Sequence, residues 1–270
     1  MSGSLQFIGN ATVLIRWGPF TVLTDPNFLH AGERAHLGFG LTAKRLKDPA
    51  LDIAELPALD AVVLSHLHGD HWDRRATRHL DHGLPVLTTP HAARRLQGLY
   101  GFRRATGIVN WESETILKEG RTLRVTSLPG MHAPNPLGKL LPPVMGSLLE
   151  FGDTNGEVEQ RIYLTGDTLM YDGVREIARR CPDVHLAVVH LGGTRIPGGL
   201  LVTMDGEQGV ELLETVMPRR AVPVHYDDYD RFTSPLSDFT SRAEERGLGD
   251  RVTVVERGAT IDLGAQDLTN

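Results

Sequence analysis

The most constraining feature of this sequence is the stretch SHLHGDHWD at residues 65–73. Residues 66–73 hold three imidazoles and two carboxylates, and they follow a mostly apolar run at residues 59–64 that is typical of the end of a buried strand. A loop at the end of a strand is a common place for functional residues. Neutral imidazoles and carboxylates are ligands that zinc accepts at roughly 2.0–2.2 Å, so the pattern His-x-His-x-Asp-His offers four donors from one turn. The stretch therefore predicts a metal site, with enough donors to begin two.

A cluster of histidines can also be a solvated surface feature, and a lone His-x-His pair most often is. Two observations favour a metal here. The aspartate falls at the remaining ligand position, and further donors of the same kind follow later strand-like runs. These later donors are His132, Asp167 and His225. A glycine precedes Asp167 and would let the backbone approach closely at that position.

Strand-like and helix-like patterns alternate along the chain. Residues 5–17 alternate between apolar and polar side chains, and a turn at Gly18-Pro19 leads to a second strand-like run at 20–24. This pattern predicts that the chain opens with a hairpin. A nearly continuous apolar run at 184–190 predicts a parallel strand covered on both faces. Two loosely similar halves, packed sheet against sheet with helices outside, predict an α/β fold of four layers, αββα. No long polar linker interrupts the pattern, so we expect a single domain over residues 1–270.

Several residues outside the main donor set are weaker candidates for the site. Asp25 ends a strand-like run, where it could orient a metal-bound histidine, although an aspartate before proline is as often a turn residue. Loops at residues 27–47, 133–143 and 191–200 are expected to set specificity. Candidate pocket residues in or beside these loops are Lys139, His190 and Arg195, and Tyr226 is a further candidate because it is adjacent to the donor His225. The competing interpretation is a solvated surface charge for the two cations and packing for the tyrosine.

Composition sets outer bounds on function. The chain has 270 residues, with 28 Lys and Arg against 34 Asp and Glu, and a formal net charge of −6. This acidic balance argues against a nucleic-acid footprint, which usually shows a basic excess. The one cysteine, Cys181, excludes an internal disulfide, and no run approaches the roughly 20 apolar residues of a bilayer span. Residues 1–5 show no signal-peptide pattern, so a reducing, cytoplasmic location is expected.

With these donors assembled, the sequence resembles the metallo-β-lactamase superfamily of metal-dependent hydrolases. The matching pieces run from the opening hairpin to His225 and cover nearly the whole chain. The signature motif and the three later ligand positions are filled by His66, His68, Asp70, His71, His132, Asp167 and His225. The segments TDP at 24–26, LTGDT at 164–168, TMD at 203–205 and VPVHY at 222–226 resemble the branch that holds ascorbate-6-phosphate lactonase and N-acyl-phosphatidylethanolamine phospholipase D.

The resemblance implies the four-layer αββα sandwich of the metallo-β-lactamase type, with a dinuclear centre. One metal ion would be held by His66, His68 and His132, and the second by Asp70, His71 and His225, with Asp167 bridging. Two ions roughly 3.5–4 Å apart would activate a shared water as the nucleophilic hydroxide and polarise the scissile carbonyl or phosphoryl group. Asp70 is also a candidate catalytic residue that steers the proton after attack. Zinc is the default ion, with manganese and iron as alternatives.

Departures from particular subgroups narrow the implied activity. Oxygen reductases of the superfamily typically have a glutamate at the position of His68, and the best-known class of penicillin-destroying enzymes has a cysteine at that of Asp167. Both activities are therefore disfavoured. The leading expectation is hydrolysis of a small phosphodiester, lactone or related ester, with no nucleic acid and no transmembrane segment involved. A metal-binding regulatory or scaffold protein with little turnover, a nuclease, and assembly as a homo-oligomer stay open.

Overall fold

Strands and helices follow one another along the chain much as the pattern predicts. The computed structural model describes residues 2–38, 40–134, 138, 141–196 and 198–264. The strands of this part are β1 (Gly3–Gly9), β2 (Thr12–Trp17), β3 (Phe20–Thr24), β4 (Arg34–His36), β5 (Thr42–Lys44), β6 (Ala61–Val63), β7 (Val86–Thr88), β8 (Ala105–Gly107), β9 (Ser113–Lys118), β10 (Arg121–Pro129), β11 (Met145–Asp153), β12 (Val158–Leu164), β13 (Leu186–His190), β14 (Arg220–Val224) and β15 (Thr260–Asp262). The helices are α1 (Arg74–His79), α2 (Pro90–Tyr100), α3 (Asp172–Arg180), α4 (Gly206–Val216) and α5 (Leu236–Glu245).

These strands form two large mixed sheets and one small hairpin. The first sheet has the order β15-β1-β2-β3-β6-β7-β8, and the second has the order β14-β13-β12-β11-β10-β9. Neighbours are antiparallel at one side of each sheet, while β3, β6, β7 and β8 run parallel in the first sheet and β12, β13 and β14 run parallel in the second. Among the described strands, β4 and β5 pair only with each other. Each large sheet therefore has a parallel part, whose strands end in loops at one edge.

Three apolar cores separate four layers. The middle core lies between the sheets and joins side chains such as Val13 of the first sheet to Leu149 of the second. α1 and α2 cover the outer face of the first sheet, where Leu96 packs in the same cluster as Val86. α3, α4 and α5 cover the second sheet through residues such as Leu213. The layers follow the order αββα, which confirms the fold class that the sequence predicts. Among the described helices, none is both long and apolar enough to cross a membrane.

Backbone hydrogen bonds join loops of the first sheet to strands of the second. Met145 N at the start of β11 donates to Ser65 O, which lies just beyond β6 (3.1 Å). His225 N, just beyond β14, donates to Asn10 O in the turn between β1 and β2 (2.9 Å). The strand ends that precede the predicted donors are thereby held at the same edge of the sandwich.

The predicted single strand over residues 5–17 is wrong. Gly9 and Asn10 have φ angles of 145° and 53°, and they turn the chain from β1 into β2, so the protein opens with three strands rather than a hairpin. The alternation of side chains runs on through this turn, which hides it from a period-two pattern. The loop at 27–47 is also more ordered than expected, because it contains the β4–β5 hairpin.

We predict that Gly206→Ala destabilises the protein because α4 and α5 approach each other at this glycine. A Cβ atom there would lie 2.6 Å from Asp238 C and 2.7 Å from Phe239 N, both backbone atoms that cannot rotate away. The expected loss in the free energy of unfolding is about 1–3 kcal/mol, measured by urea denaturation. The matched control is Gly98→Ala on α2, where a Cβ atom meets nothing within 4 Å. This control should gain about 0.5–1 kcal/mol from helix propensity. Equal stability of the two variants would contradict the prediction.

Candidate metal centre

The loop after β6 is a tight turn that leads into α1. His71 N and Trp72 N both donate to His68 O, at 3.0 and 2.9 Å, which folds the loop back on itself. Asp73 ends the turn as the cap of α1, because its Oδ1 accepts from the first free N–H groups of the helix at 2.8 Å each. The same carboxylate accepts from Leu29 N (2.7 Å). The loop is thus fixed at its end, and its donors turn inward.

Three histidines of the predicted set form a first cluster. His66 Nε2 and His132 Nε2 lie 2.9 and 3.1 Å from His68 Nδ1, and all three rings are buried. His132 Nδ1 is 2.7 Å from Val202 O, and His66 Nδ1 is 3.0 Å from Ser65 Oγ. Burial and neighbouring histidines hold the pKa of His66 well below its ordinary value, and burial lowers the pKa of His68 to about 3. The rings are therefore neutral and can present nitrogen lone pairs to a common point.

The other four donors form a second cluster that is richer in negative charge. The ligand atoms of Asp70, His71, Asp167 and His225 all lie within 4.8 Å of one another. His71 Nε2 is 3.2 Å from Asp167 Oδ2, and His225 Nε2 is 3.4 Å from Asp70 Oδ2. Burial alone would lower the pKa of His71, but the carboxylates of Asp167, Asp25 and Asp70 outweigh it and raise that pKa well above the ordinary value. The negative charge of these two buried carboxylates thus strongly favours a positive charge within the second cluster.

Asp25 lies behind this second cluster. Its Oδ2 is 3.1 Å from His71 Nδ1 and 3.4 Å from His190 Nε2, and its Oδ1 accepts from Ser65 N (2.7 Å). A hydrogen bond to Nδ1 leaves Nε2 of His71 directed at Asp167, which is the usual way that a carboxylate orients a metal-binding histidine. His225 is oriented in a similar way, since its Nδ1 lies 3.2 Å from Leu191 O.

A divalent metal ion fits these donors. Asp70 Oδ1 and Asp167 Oδ1 are buried and have no hydrogen-bond partner within the described part of the chain. Leaving such oxygens unpaired in a dry site is costly, and a cation removes that cost. Neutral imidazole and carboxylate together suit zinc, and also manganese and iron.

Two backbone features bring the clusters together. Gly166 has a φ angle of 61°, and a Cβ atom there would lie 2.8 Å from Met145 O and 3.0 Å from Ser65 Cβ. Glycine is therefore required for the loop of Asp167 to pack against Ser65, as the sequence predicts. His225 has a φ angle of 62°, an uncommon value for a residue with a side chain. Such conformations persist where the surroundings hold them, and here they direct the ring into the site.

A pocket of about 340 Å³ opens onto both clusters. His68, Asp70, His132 and Asp167 form one part of its wall. The remaining wall is mainly aliphatic, and its apolar residues are Leu37, Leu41, Leu141, Ile196 and Val202. Arg195 and Arg231 also line it. The candidate metal centre is thus accessible to a small molecule with an apolar part.

The weaker candidates have different positions. Arg195 lines the pocket, where its Nη1 donates to Gly199 O (2.8 Å). His190 is buried against Asp25 and Thr165 and does not belong to the described pocket wall. Tyr226 is not on that wall either, since its ring stacks on Phe7 and borders a separate cavity. Lys139 lies outside the described residues.

Sequence reasoning missed a buried polar network beneath the loop of residues 65–73, which we call the metal loop. Arg45 and Asp228 are fully buried and form an ion pair with Nη2 and Oδ1 2.9 Å apart. Asp228 Oδ2 also accepts from Asn10 N (2.8 Å), while Asn10 Nδ2 donates to Asp70 O (2.7 Å). Arg45 further contacts the side chain of Asn27, whose Nδ2 donates to Gly69 O (3.1 Å). The only signal in the sequence is that Asp228 closely follows His225.

Comparisons with known proteins agree with this geometry. Residues 21–226 match the family described as the beta-lactamase superfamily domain. The chain is 30% identical over 268 residues to a UPF0173 metal-dependent hydrolase of Deinococcus radiodurans, covering 96% of this chain and 99% of the relative. It is 26% identical over 239 residues to N-acyl-phosphatidylethanolamine-hydrolyzing phospholipase D 1 of Caenorhabditis elegans, covering 84% and 65%. Its fold is similar to that of an isothiocyanate hydrolase from Delia radicum gut bacteria, with a TM-score of 0.77, 23% identity and coverage of 96% and 98%.

The fold and the clustered His and Asp donors define the class of the protein as a metal-dependent hydrolase. More particularly, the chain belongs to the beta-lactamase superfamily.

We predict that Arg45→Met lowers the free energy of unfolding by about 1–3 kcal/mol, because it removes the fully buried partner of Asp228 and leaves this carboxylate paired only with the less buried Arg257. Urea denaturation measures this loss. The control is Arg16→Met, since Arg16 is exposed on β2 and should change stability by no more than about 0.5 kcal/mol. A loss in Arg45→Met no larger than in the control would show that the pair contributes nothing to stability.

Proposed function

We propose that the protein hydrolyses a small phosphodiester, lactone or related ester with two divalent metal ions, zinc being the first expectation, and that residues 1–270 act as one domain. The single observation that supports this most is the position of the two donor clusters at one wall of a pocket that is otherwise mainly aliphatic. When bound, the ions would lower the pKa of a water molecule and polarise the bond to be cleaved.

Each predicted ligand has a role in this proposal. His66, His68 and His132 would hold one ion, while Asp70, His71 and His225 would hold the other, with Asp167 shared between them. Asp25 positions His71, and the carbonyl of Val202 positions His132. Asp70 lines the pocket, and its Oδ1 accepts from no donor among the described residues, so we assign it the further role of accepting a proton at that atom after attack.

The pocket indicates what the substrate should look like. Its aliphatic wall favours a substrate with an apolar group beside the reacting bond, because burial of apolar surface is the main source of binding free energy. Arg195 and Arg231 add positive charge, which suits a phosphoryl or carboxylate oxygen. The relative from Caenorhabditis elegans is named as hydrolysing a phospholipid by phospholipase D action, which supports a phosphodiester as the first substrate to test.

We predict that the purified protein hydrolyses bis(4-nitrophenyl) phosphate and that a chelator abolishes the reaction. Asp167→Ala should lose bound metal and turnover together, because Asp167 contacts donors of both clusters. Metal content and release of nitrophenolate are measured on the same sample. The control is His79→Ala, which changes an exposed histidine of α1 and should keep both. Unchanged metal stoichiometry and turnover in Asp167→Ala would contradict the assignment. Turnover of 4-nitrophenyl acetate or a lactone alone would select the carboxylic ester branch.

We further predict that kcat/KM rises with the length of the alkyl group in a series of alkyl 4-nitrophenyl phosphates. Each buried CH₂ is worth about 0.8 kcal/mol, so the rise should approach roughly fourfold per methylene while the pocket still has room. Ile196→Ser should weaken this dependence, whereas Val109→Ser, at an exposed apolar residue outside the pocket wall, should leave it unchanged. A flat series for the unmodified protein would contradict the apolar pocket as a binding site.

A further inference from the structure

A second pocket lies beside the metal loop and is lined by positive charge. It has a volume of about 450 Å³, and its wall includes four arginines, Arg34, Arg74, Arg78 and Arg95. These residues come from three elements, β4, α1 and α2, so no single local sequence pattern accounts for their convergence. All four side chains are exposed, so water screens part of their mutual repulsion, and an anion in the pocket would compensate the rest.

Carboxylates of the described residues neutralise the positive charge of these four arginines only in part. Arg74 pairs with Glu33, but that carboxylate is shared with Arg75. Within the described ranges, the side chain of Arg34 donates only to a hydroxyl, that of Thr42 (3.2 Å). Arg78 and Arg95 form no ion pair with any described residue. The one carboxylate on the wall, Asp73, already accepts four backbone N–H groups.

The surrounding charge is also unusual for this chain. Residues 74–104 contain seven arginines and a single acidic residue, Asp81, whereas the whole chain has a formal net charge of −6. This segment therefore has a local excess of positive charge in a chain of negative net charge, and three of the four pocket arginines belong to it. A field of this kind attracts anions and raises their local concentration.

We propose that this pocket binds the phosphate group of a small soluble phosphate ester, at a site separate from the metal centre. A phosphate offers three charged oxygens, so it can accept from several guanidinium groups at once, which a single carboxylate does less well. The pocket volume lies within the range of small-molecule sites. Tyr100 and the apolar surfaces of Leu67 and Trp72 would contact the organic part of the ligand. This inference does not depend on what the metal centre hydrolyses.

The pocket lies against the loop that carries four of the candidate metal donors. Leu67, Gly69 and Trp72 line it, and they alternate along one loop with His66, His68, Asp70 and His71. The backbone is close-packed at this point, because Gly69 N donates to His36 O (2.9 Å) and a Cβ atom on Gly69 would lie 2.7 Å from His36 N. A ligand held by the arginines would therefore contact the loop that presents four of the candidate metal donors.

Isothermal titration calorimetry with glycerol 3-phosphate and with inorganic phosphate tests the proposal on the metal-loaded protein. We expect both probes to bind, the ester more tightly. The double variant Arg78→Gln/Arg95→Gln should bind at least about tenfold more weakly, since it removes two charge-assisted contacts. The matched control is the double variant Arg94→Gln/Arg104→Gln, which removes two exposed charges at residues outside the pocket wall and should bind within about twofold of the unmodified protein. Thermal denaturation confirms that each variant is folded.

Two further arms separate this site from other sources of the same signal. Chelator-treated protein should bind glycerol 3-phosphate as the metal-loaded protein does, and loss of binding on chelation would assign the phosphate to the metal centre instead. Vesicles of phosphatidylglycerol present the same chemistry at a surface, and binding to vesicles without binding to either soluble probe would overturn the proposal in favour of a membrane contact. Equal weakening by Arg94→Gln/Arg104→Gln, or no binding of either soluble probe, would also overturn it.

Discussion

The arrangement of the candidate metal centre depends on the contacts of one buried carboxylate, that of Asp25. It holds Ser65 and His71 of the loop after β6, and it lies 3.4 Å from His190 at the end of β13. One side chain therefore joins the functional ends of both sheets. A charge buried this deeply survives only with such partners. Although burial opposes ionisation, His71 and His190 lower the pKa of Asp25 to about 2, so the carboxylate stays charged and keeps His71 directed at Asp167.

The two donor clusters differ in charge although they share one edge of the fold. The first is built from imidazoles that burial keeps neutral, and the second adds the carboxylates of Asp70 and Asp167 to two further imidazoles. Nearby His225 and His71 hold the pKa of Asp167 well below its ordinary value, despite its burial. A cation at the second cluster thus meets stronger electrostatic attraction than one at the first, while the first relies on nitrogen lone pairs alone.

Local spacing explains which parts of this picture were predictable. The donors within residues 66–71 follow from one turn. The later donors follow β10, β12 and β14, which run in the same direction, so the carboxyl ends of these strands lie at the same edge of the second sheet. The network of Asn10, Arg45 and Asp228 was not predictable, because its members are up to 218 positions apart and none belongs to a motif. Tyr226 directly follows the donor His225, yet its ring stacks on Phe7 and borders a separate cavity, so closeness in sequence did not predict closeness in the pocket.

The anchoring of residues 27–47 bears on how the enzyme's specificity can change in evolution or by design. Leu37 and Leu41 contribute to the pocket from the tip of the β4–β5 hairpin, whereas Asn27 and Arg45 at the base of the segment are bonded to the metal loop and to Asp228. Variation in the tip would alter the wall of the pocket without disturbing the candidate metal ligands. A transplanted loop that replaced the base as well would remove its contacts with Gly69 and Asp228. Substitutions at Leu37 and Leu41 are therefore compatible with an intact centre, whereas substitutions at Asn27 and Arg45 are not.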